Sequence, residues 1–267
     1  MFKKSHSYLF LNVITTALLL NCSPSFAVAK RIDTYHNTPT IPHCVDCDLF
    51  VPTYFATLSG GPIWSRSNRN LTYLLQPDVR KTYYADRSMK SFGTAELFLG
   101  MQRVFEAGFD GQAGFALALA RNNVWGDIWE EALPVFDDFN YKYTINRVRF
   151  AIKGKIRAEV SNGLWGYLST SGGVAVNRSG NFTITPTIPE AVAAPAFRSN
   201  TQIGLSYTAG LGLEYSFCRN WRAGLGYEFA DWGPSSLSRA PGQSLNTGLS
   251  LSHWFSHALQ LSVTFIK

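Results

Sequence analysis

Residues 203–217 read IGLSYTAGLGLEYSF, and their apolar side chains stand at the odd positions throughout. The even positions hold only glycine, serine, threonine and glutamate. A period of two is that of a β-strand, in which successive side chains face opposite sides of a sheet. The segment therefore predicts a strand with one apolar face and one small or polar face. A membrane barrel turns such an apolar face to lipid, whereas a soluble sandwich turns it to a second sheet.

The same alternation recurs along most of the chain and predicts eight strands, near 50–65, 94–106, 108–122, 140–158, 163–177, 201–217, 220–231 and 249–266. Their connections alternate between long loops and short turns. This sorting is typical of outer-membrane barrels, with turns in the periplasm and loops outside, and a sandwich has no reason for it. The expected fold is all-β: a membrane-spanning, eight-stranded, antiparallel up-and-down β-barrel.

Two local departures are expected. The apolar face of the fifth strand changes from odd positions at Trp165 and Tyr167 to even positions at Val174 and Val176, which predicts a bulge at Gly172 and Gly173. In the second long loop, residues 127–133 predict one or two helical turns.

The first residues have the pattern of an export signal. Lys3 and Lys4 precede an apolar run at 9–20, and a small-residue cleavage site follows that ends at Ala29. We expect a cleaved signal peptide at 1–29, a periplasmic segment at 30–49, a barrel at 50–267 and a location in the cell outer membrane. A lipoprotein modified at Cys22 is the competing interpretation. The chain has no stretch of about 18 apolar residues, so no transmembrane helix is expected.

Charge is sparse and nearly balanced. Removing Lys3 and Lys4 leaves 22 basic and 18 acidic residues, a net charge of +4. Charged residues are 16% of the chain and aromatic residues 14%, a composition that suits strands with a lipid-facing side. So small an excess of positive charge favours no nucleic-acid partner.

A run of basic residues marks the interior. On the fourth strand, one face holds Arg147, Arg149, Lys153, Lys155 and Arg157. Each would cost about 2 to 4 kcal/mol on the lipid face at mid-membrane, so the run must point into the barrel. The same parity turns acidic partners inward: Glu96, Glu106, Glu214 and Glu228. An ion-pair network that fills a narrow lumen is favoured over a charged gate or conducting path, because eight strands leave little free space.

The first long loop is basic and is expected to be exposed. The residues predicted to bind lipopolysaccharide phosphates or anionic host glycans are Arg66, Arg69, Arg80, Lys81 and Arg87. Solvated loops, with the first paired to the acidic second loop, are the alternative.

Three cysteines follow the predicted cleavage site: Cys44, Cys47 and Cys218. In an oxidising compartment a disulfide is favoured, either between Cys44 and Cys47 or between one of them and Cys218. Free thiols and a metal site with His43 remain alternatives. No metal site is predicted, since a C-x-x-C with one histidine is half of a structural zinc site.

Serine and histidine also occur close together near the carboxy end, at Ser252, His253, Ser256 and His257. A lipid-A deacylase needs a serine, a histidine and an acid held together at the outer rim. Parity separates them, because both histidines face outward and both serines inward. No catalytic residue, enzymatic activity or cofactor is therefore predicted.

These features together resemble the small eight-stranded outer-membrane barrels: the OmpA-like transmembrane domain and its opacity-protein and OmpW relatives. The resemblance covers about residues 50–267 and rests on four segments, TLSGGP at 57–62, GLGLEY at 210–215, GLGY at 224–227 and LQLSVTF at 259–265. It implies a structural or adhesin-like role, with a narrow channel as the alternative and a lipid-modifying hydrolase as a remote one. The implied partners are outer-membrane lipid and lipopolysaccharide, periplasmic chaperones, the barrel assembly machinery and host surface molecules.

Overall fold

The structure is a computed structural model, which describes residues 52–65, 71–76, 79–85, 90–106, 108–130, 137–187, 189, 196–245 and 247–267. These residues form strands and connections. The strands are β1 (Thr53–Ser65), β2 (Leu71–Gln76), β3 (Val79–Ala85), β4 (Lys90–Glu106), β5 (Phe109–Glu130), β6 (Asp137–Ser161), β7 (Leu164–Pro186), β8 (Asn200–Ser216), β9 (Trp221–Asp231), β10 (Ser235–Ser236), β11 (Ser250–Leu251) and β12 (Phe255–Ile266). The signal peptide and periplasmic segment predicted for 1–49 lie outside the described residues.

Eight strands close into a ring. The antiparallel order is β5, β4, β1, β12, β9, β8, β7 and β6, and β6 pairs back to β5. Closure leaves no strand of the ring with unpaired backbone groups along an edge. The predicted eight-stranded up-and-down barrel is confirmed. One end of the ring carries the short connections and is called the turn end; the other is the loop end.

The loop end holds more strand than predicted. Strands β2 and β3 form a hairpin within the first long loop, and β3 pairs with the outer part of β5 from Lys81 to Ala85. Strands β5, β6 and β7 extend beyond their predicted ends at the same side. The helical turn predicted at 127–133 is wrong for the described residues 127–130, because β3 and β6 supply sheet partners there.

The predicted bulge in β7 is also wrong. Pairing with β6 and with β8 runs through Gly172 and Gly173 without a shift of register. Trp165 and Tyr167 therefore share the inward face, and Tyr167 contacts the interior glycines of β8 and β9. A Cβ added at Gly226 would lie 1.9 Å from the Tyr167 hydroxyl oxygen. The apolar parity misled the prediction because the lumen itself contains large aromatic rings.

The outward face is an apolar band. Leu205 is 80% exposed and Phe115 is 74% exposed, and many other large outward side chains of the ring, such as Ile152 and Leu261, are also exposed. On β8 this face runs from Ile203 to Tyr215, twelve residue steps that span about 30 Å at about 3.3 Å per step and a tilt of about 40°. That height matches the apolar band of a membrane barrel. Within the described residues, no helix is long and apolar enough to cross a membrane.

The apolar interior is concentrated near the loop end. Twelve buried residues form the outer core, which joins β3, β5, β6 and β7 to the two long connections after them: Tyr83, Val124, Ile128, Phe139, Tyr141, Tyr143, Ile145, Phe182, Phe197, Leu237, Ala240 and Leu249. A second cluster, which we call the tryptophan cluster, lies next to it towards the membrane. Its members are Ile63, Ala118, Ala120, Ala230, Trp232, Trp254 and Ala258. The last predicted strand, 249–266, is split into β11 and β12, so that Trp254 turns inward and is buried.

Candidate functional site: the barrel interior

The interior charges come from the β6 run, and the neighbouring strand leaves room for them. Arg149 lies opposite Ala118 of β5 and Arg147 lies opposite Ala120. Both alanines are buried and small, so the long basic side chains extend across the lumen instead of pressing on β5. The inward direction of the whole β6 run agrees with the parity argument.

Near the turn end, Arg157 and Lys155 share carboxylates from β5 and β8. Arg157 donates through Nε to Asp110 Oδ1 at 2.7 Å and through Nη2 to Asp110 Oδ2. Its Nη1 also donates to Glu214 Oε2 at 2.9 Å, and Lys155 Nζ donates to Glu214 Oε1 at 2.6 Å. We call Asp110, Lys155, Arg157 and Glu214 the turn-end cluster. Every oxygen of its two carboxylates accepts a hydrogen bond from Lys155 or Arg157.

Polar side chains continue this network towards the turn end. Gln102 donates to Asp110 Oδ2 at 3.2 Å and accepts from Gln112 at 3.1 Å and from Arg222 at 3.0 Å. Sequence reasoning missed Asp110, although the parity that places Gln112 inside also places Asp110 inside.

A second group lies at mid-barrel. Arg149 Nη2 donates to Glu96 Oε2 at 2.7 Å, and Lys153 Nζ donates to Glu228 Oε2 at 3.0 Å. Each cation also contacts the other carboxylate, and Gln260 donates to Glu228 Oε1 at 3.2 Å. This mid-barrel cluster is Glu96, Arg149, Lys153 and Glu228. The structure thus brings seven of the nine predicted interior residues into two clusters, and the side chain of another, Glu106, lies outside the described residues.

Arg147 is the ninth, and it joins neither cluster. Its guanidinium is 1% exposed and stacks on the Trp254 ring, 3.9 Å from Cζ to the ring centroid. Nε, Nη1 and Nη2 all lack a hydrogen-bond partner among the described residues. A cation over a desolvated tryptophan is worth about 2 kcal/mol, whereas burying an unpaired charge costs several kcal/mol. The stacking alone does not offset the burial of this charge.

Free space within the lumen is small where it borders the mid-barrel cluster. A cavity of about 20 Å³ lies there, lined among others by Glu96, Lys153, Tyr167 and Glu228. Space of this size holds about one water molecule. Above it, the tryptophan cluster and the outer core fill the interior with buried rings.

Of the predicted loop-binding residues, Lys81 is not at the surface. Its side chain is 8% exposed, and Nζ lies 5.0 Å from the centroid of the Phe139 ring. The prediction that Lys81 is available to an external ligand is wrong, because β3 folds onto the barrel and turns this side chain towards the outer core. Arg66, Arg69 and Arg87 lie outside the described residues, as does the side chain of Arg80.

A basic row does occur at the loop end, on the outward face. Arg121 of β5 pairs with Asn146 of β6, which pairs with Arg178 of β7. All three side chains are exposed, and directly below them lie Leu119, Val148 and Val176 of the apolar band. Neither arginine forms an ion pair or side-chain hydrogen bond with another described residue. We call these three residues the basic rim.

The cysteines are only partly described. Cys218, in the connection from β8 to β9, is disulfide-bonded. Its partner lies outside the described residues, as do Cys44 and Cys47, so the pairing stays a prediction. Among the described residues, no group of three or more His, Cys, Asp or Glu side chains could hold a metal ion.

The serine and histidine side chains near the carboxy end bond to other groups. His253 Nδ1 lies 2.8 Å from Asp231 Oδ2, and His257 Nδ1 lies 2.5 Å from the Tyr227 hydroxyl. Ser256 is buried and accepts a hydrogen bond from Trp232 Nε1 at 3.0 Å. These contacts do not assemble a nucleophile with a histidine base.

Comparison with solved structures finds outer-membrane proteins. Neisserial surface protein A is 11% identical with a TM-score of 0.38, over 80% of this chain and 96% of that protein. Ail, the attachment invasion locus protein of Yersinia pestis, is 12% identical with a TM-score of 0.36, over 80% and 98%. The outer membrane protease OmpT from Escherichia coli is 7% identical with a TM-score of 0.41, over 80% and 97%.

No protein-family model and no curated protein sequence matches the chain. Similarity at this level says nothing about the activity of the chain. The barrel assignment rests on the strand pairing described above.

Proposed function

We propose that this chain is an outer-membrane barrel with a structural or surface-interaction role, whose lumen is closed by ion pairs. The observation that carries the proposal is the succession of tiers along the interior. The turn-end cluster, the mid-barrel cluster, the tryptophan cluster and the outer core follow one another from one mouth towards the other. A narrow channel for ions or small solutes is the second candidate, because the same charges could line a conducting path.

The apolar band supports the membrane location. Together with the export signal expected at 1–29, it supports insertion into the outer membrane, for which periplasmic chaperones and the barrel assembly machinery are the proposed partners. The contacts of Ser256, His253 and His257 support the proposal of a non-enzymatic role, because each is engaged with another group.

Planar bilayer recording distinguishes the two candidates. The mature chain is refolded, its folded state is checked by gel mobility, and single-channel current is recorded beside Glu228→Gln. A closed lumen predicts no steady openings of the wild-type protein over many insertions. Discrete openings that Glu228→Gln alters would contradict closure and establish the channel, because Glu228 pairs with Arg149 and Lys153 inside the lumen.

The basic rim supports a particular partner, the phosphate groups of lipopolysaccharide. Twelve residues separate Phe109, at the turn end, from Arg121, or about 30 Å along the barrel axis. The rim is therefore at the outer boundary of the apolar band, where lipid A carries its phosphates. Arg121 and Arg178 have no ion-pair partner in the part of the chain that the structure describes, and their Cα atoms are about 10 Å apart. This spacing suits such a head group, while the acyl chains contact the leucine and valines below.

This interaction is tested with the double variant Arg121→Gln/Arg178→Gln in mixed micelles. Diphosphoryl lipid A should raise the melting temperature of the wild-type barrel more than dephosphorylated lipid A does, and the double variant should lose that difference. The matched control is Arg103→Gln, which removes an exposed outward arginine at the turn end. If the double variant keeps the full phosphate-dependent rise, the rim is not the binding surface.

A further inference from the structure

We propose that the barrel interior binds a small monovalent anion, of the chloride type, between Arg147 and Arg149. The two residues are neighbours on the inward face of β6, with Cα atoms about 7 Å apart as for any i, i+2 pair on a strand. Among the described residues, all three nitrogens of the Arg147 guanidinium lack a hydrogen-bond partner, as do Nε and Nη1 of Arg149. Both side chains are at least 99% buried.

The charges of the interior support such a group. Six cations of the ring strands are described there as buried or half-buried: Arg147, Arg149, Lys153, Lys155, Arg157 and Arg222. They share the interior with five buried carboxylates: Asp110 and Glu214 in the turn-end cluster, Glu96 and Glu228 in the mid-barrel cluster, and Asp231 at the end of β9. Asp231 acts on Arg147 electrostatically, but its oxygens contact Gly233 N, Trp254 N and His253 Nδ1, and it forms no ion pair with Arg147. Arg147 is therefore the deeply buried cation of this set that has no paired carboxylate among the described residues.

Tryptophan rings border both guanidinium groups. The Trp254 ring covers one face of the Arg147 guanidinium, and the Trp232 ring lies 4.8 Å from Arg149 Cζ. With their faces covered, the guanidinium groups have their N–H edges left for hydrogen bonds. Two guanidinium edges beside apolar rings suit a compact anion that accepts several N–H groups without needing donors in return.

Water would satisfy the hydrogen bonds but would leave Arg147 without a paired negative charge. The mid-barrel carboxylates, Glu96 and Glu228, already accept from Arg149, Lys153 and Gln260. A bound monovalent anion supplies a paired charge and accepts hydrogen bonds from the unpartnered N–H groups. The inference does not depend on whether the lumen conducts.

Fluorescence of the tryptophans beside the site provides the test. The refolded full mature barrel is titrated with bromide at constant ionic strength, with gluconate as the balancing anion. Binding next to Trp232 and Trp254 should give a saturable quenching component that Trp254→Phe reduces and that chloride competes away. In Arg147→Gln, the apparent affinity should fall at least about tenfold, as expected for loss of a charged donor. The control Arg103→Gln removes an exposed arginine at the turn end and should bind as the wild type does.

A measurement without a variant keeps the test independent of folding. Excess broadening of the chloride-35 resonance by the wild-type barrel should saturate and should be reversed by bromide. Quenching that rises only linearly with bromide, together with no excess broadening, would overturn the proposal and assign water to these N–H groups. The absence of channel openings in bilayer recordings would not affect this test of anion binding.

Discussion

Glu214 shows how a single carboxylate is used in this interior. It is 1% exposed and accepts from Lys155 and Arg157 of β6, which is separated from β8 by β7 alone. Taking two charges out of water costs several kcal/mol per ion, and good geometry between the partners repays that cost. Removing one partner of such a set is therefore more harmful than replacing the whole set by apolar residues.

We expect Glu214→Gln to lower the free energy of unfolding by about 3 to 5 kcal/mol, because it leaves two buried cations short of negative charge. The measurement is urea unfolding of the refolded barrel in lipid vesicles. The control Glu159→Gln changes an exposed carboxylate at the turn end of β6 and should cost less than about 1 kcal/mol. The double variant Lys155→Met/Glu214→Leu should be milder than Glu214→Gln; equal or greater damage would contradict this account.

At the scale of the elements, β7 depends on glycines in β8 and β9. The Tyr167 ring occupies the space left by Gly212 and Gly226, and a Cβ at Gly212 would lie 2.7 Å from Tyr167 Cζ. The same ring lies 4.6 Å from Lys155 Nζ. The three strands thus pack together as one unit. The glycines of β8 and β9 leave the space that the large Tyr167 side chain of β7 occupies.

Gly226→Ala should destabilise the barrel by about 1 to 3 kcal/mol, because the new methyl group overlaps the Tyr167 hydroxyl. The measurement is again the free energy of unfolding. Combination with Tyr167→Leu should recover part of the loss, since the shorter side chain withdraws from Gly226. As a control, Gly154→Ala on β6 adds a Cβ with no atom within 4 Å and should change the stability by less than about 1 kcal/mol. Equal losses for Gly226→Ala and Gly154→Ala would show that the tyrosine contact does not matter.

At the scale of the whole molecule, closure of the ring and filling of the lumen act together. Strand β1 pairs with both β4 and β12, so the first and last strands of the ring are held in the same sheet. The outer core then ties the loop end to the connections above it. Unfolding the barrel requires that this continuous ladder be broken, and no strand can leave the ring without exposing backbone groups to lipid.

We expect the refolded barrel to resist sodium dodecyl sulfate at room temperature and to migrate faster before heating than after boiling. The compact closed ring binds less detergent than the unfolded chain. Gel electrophoresis of paired heated and unheated samples measures the difference. A sample kept unfolded in urea serves as the unfolded control. Co-migration of the two samples would contradict the closed barrel.

Local alternation could be interpreted without the structure, because the face to which a strand residue points depends only on its position along that strand. Residues 203–217 and the basic run of β6 were assigned in this way, and both lie as expected. Asp110 could have been found by the same rule. Trp165 and Tyr167 could not, because the sequence does not say that the lumen has room for aromatic rings.

The sequence by itself therefore determined the strand type, the number of ring strands and the inward direction of the β6 charges, all of which follow from a two-residue period. Only the tertiary structure decided which carboxylate meets which cation, that Lys81 is buried and that Arg147 forms no ion pair with a described residue. Those outcomes depend on the stagger between strands that are far apart in the chain. That stagger is set by closure of the whole ring and not by any one segment.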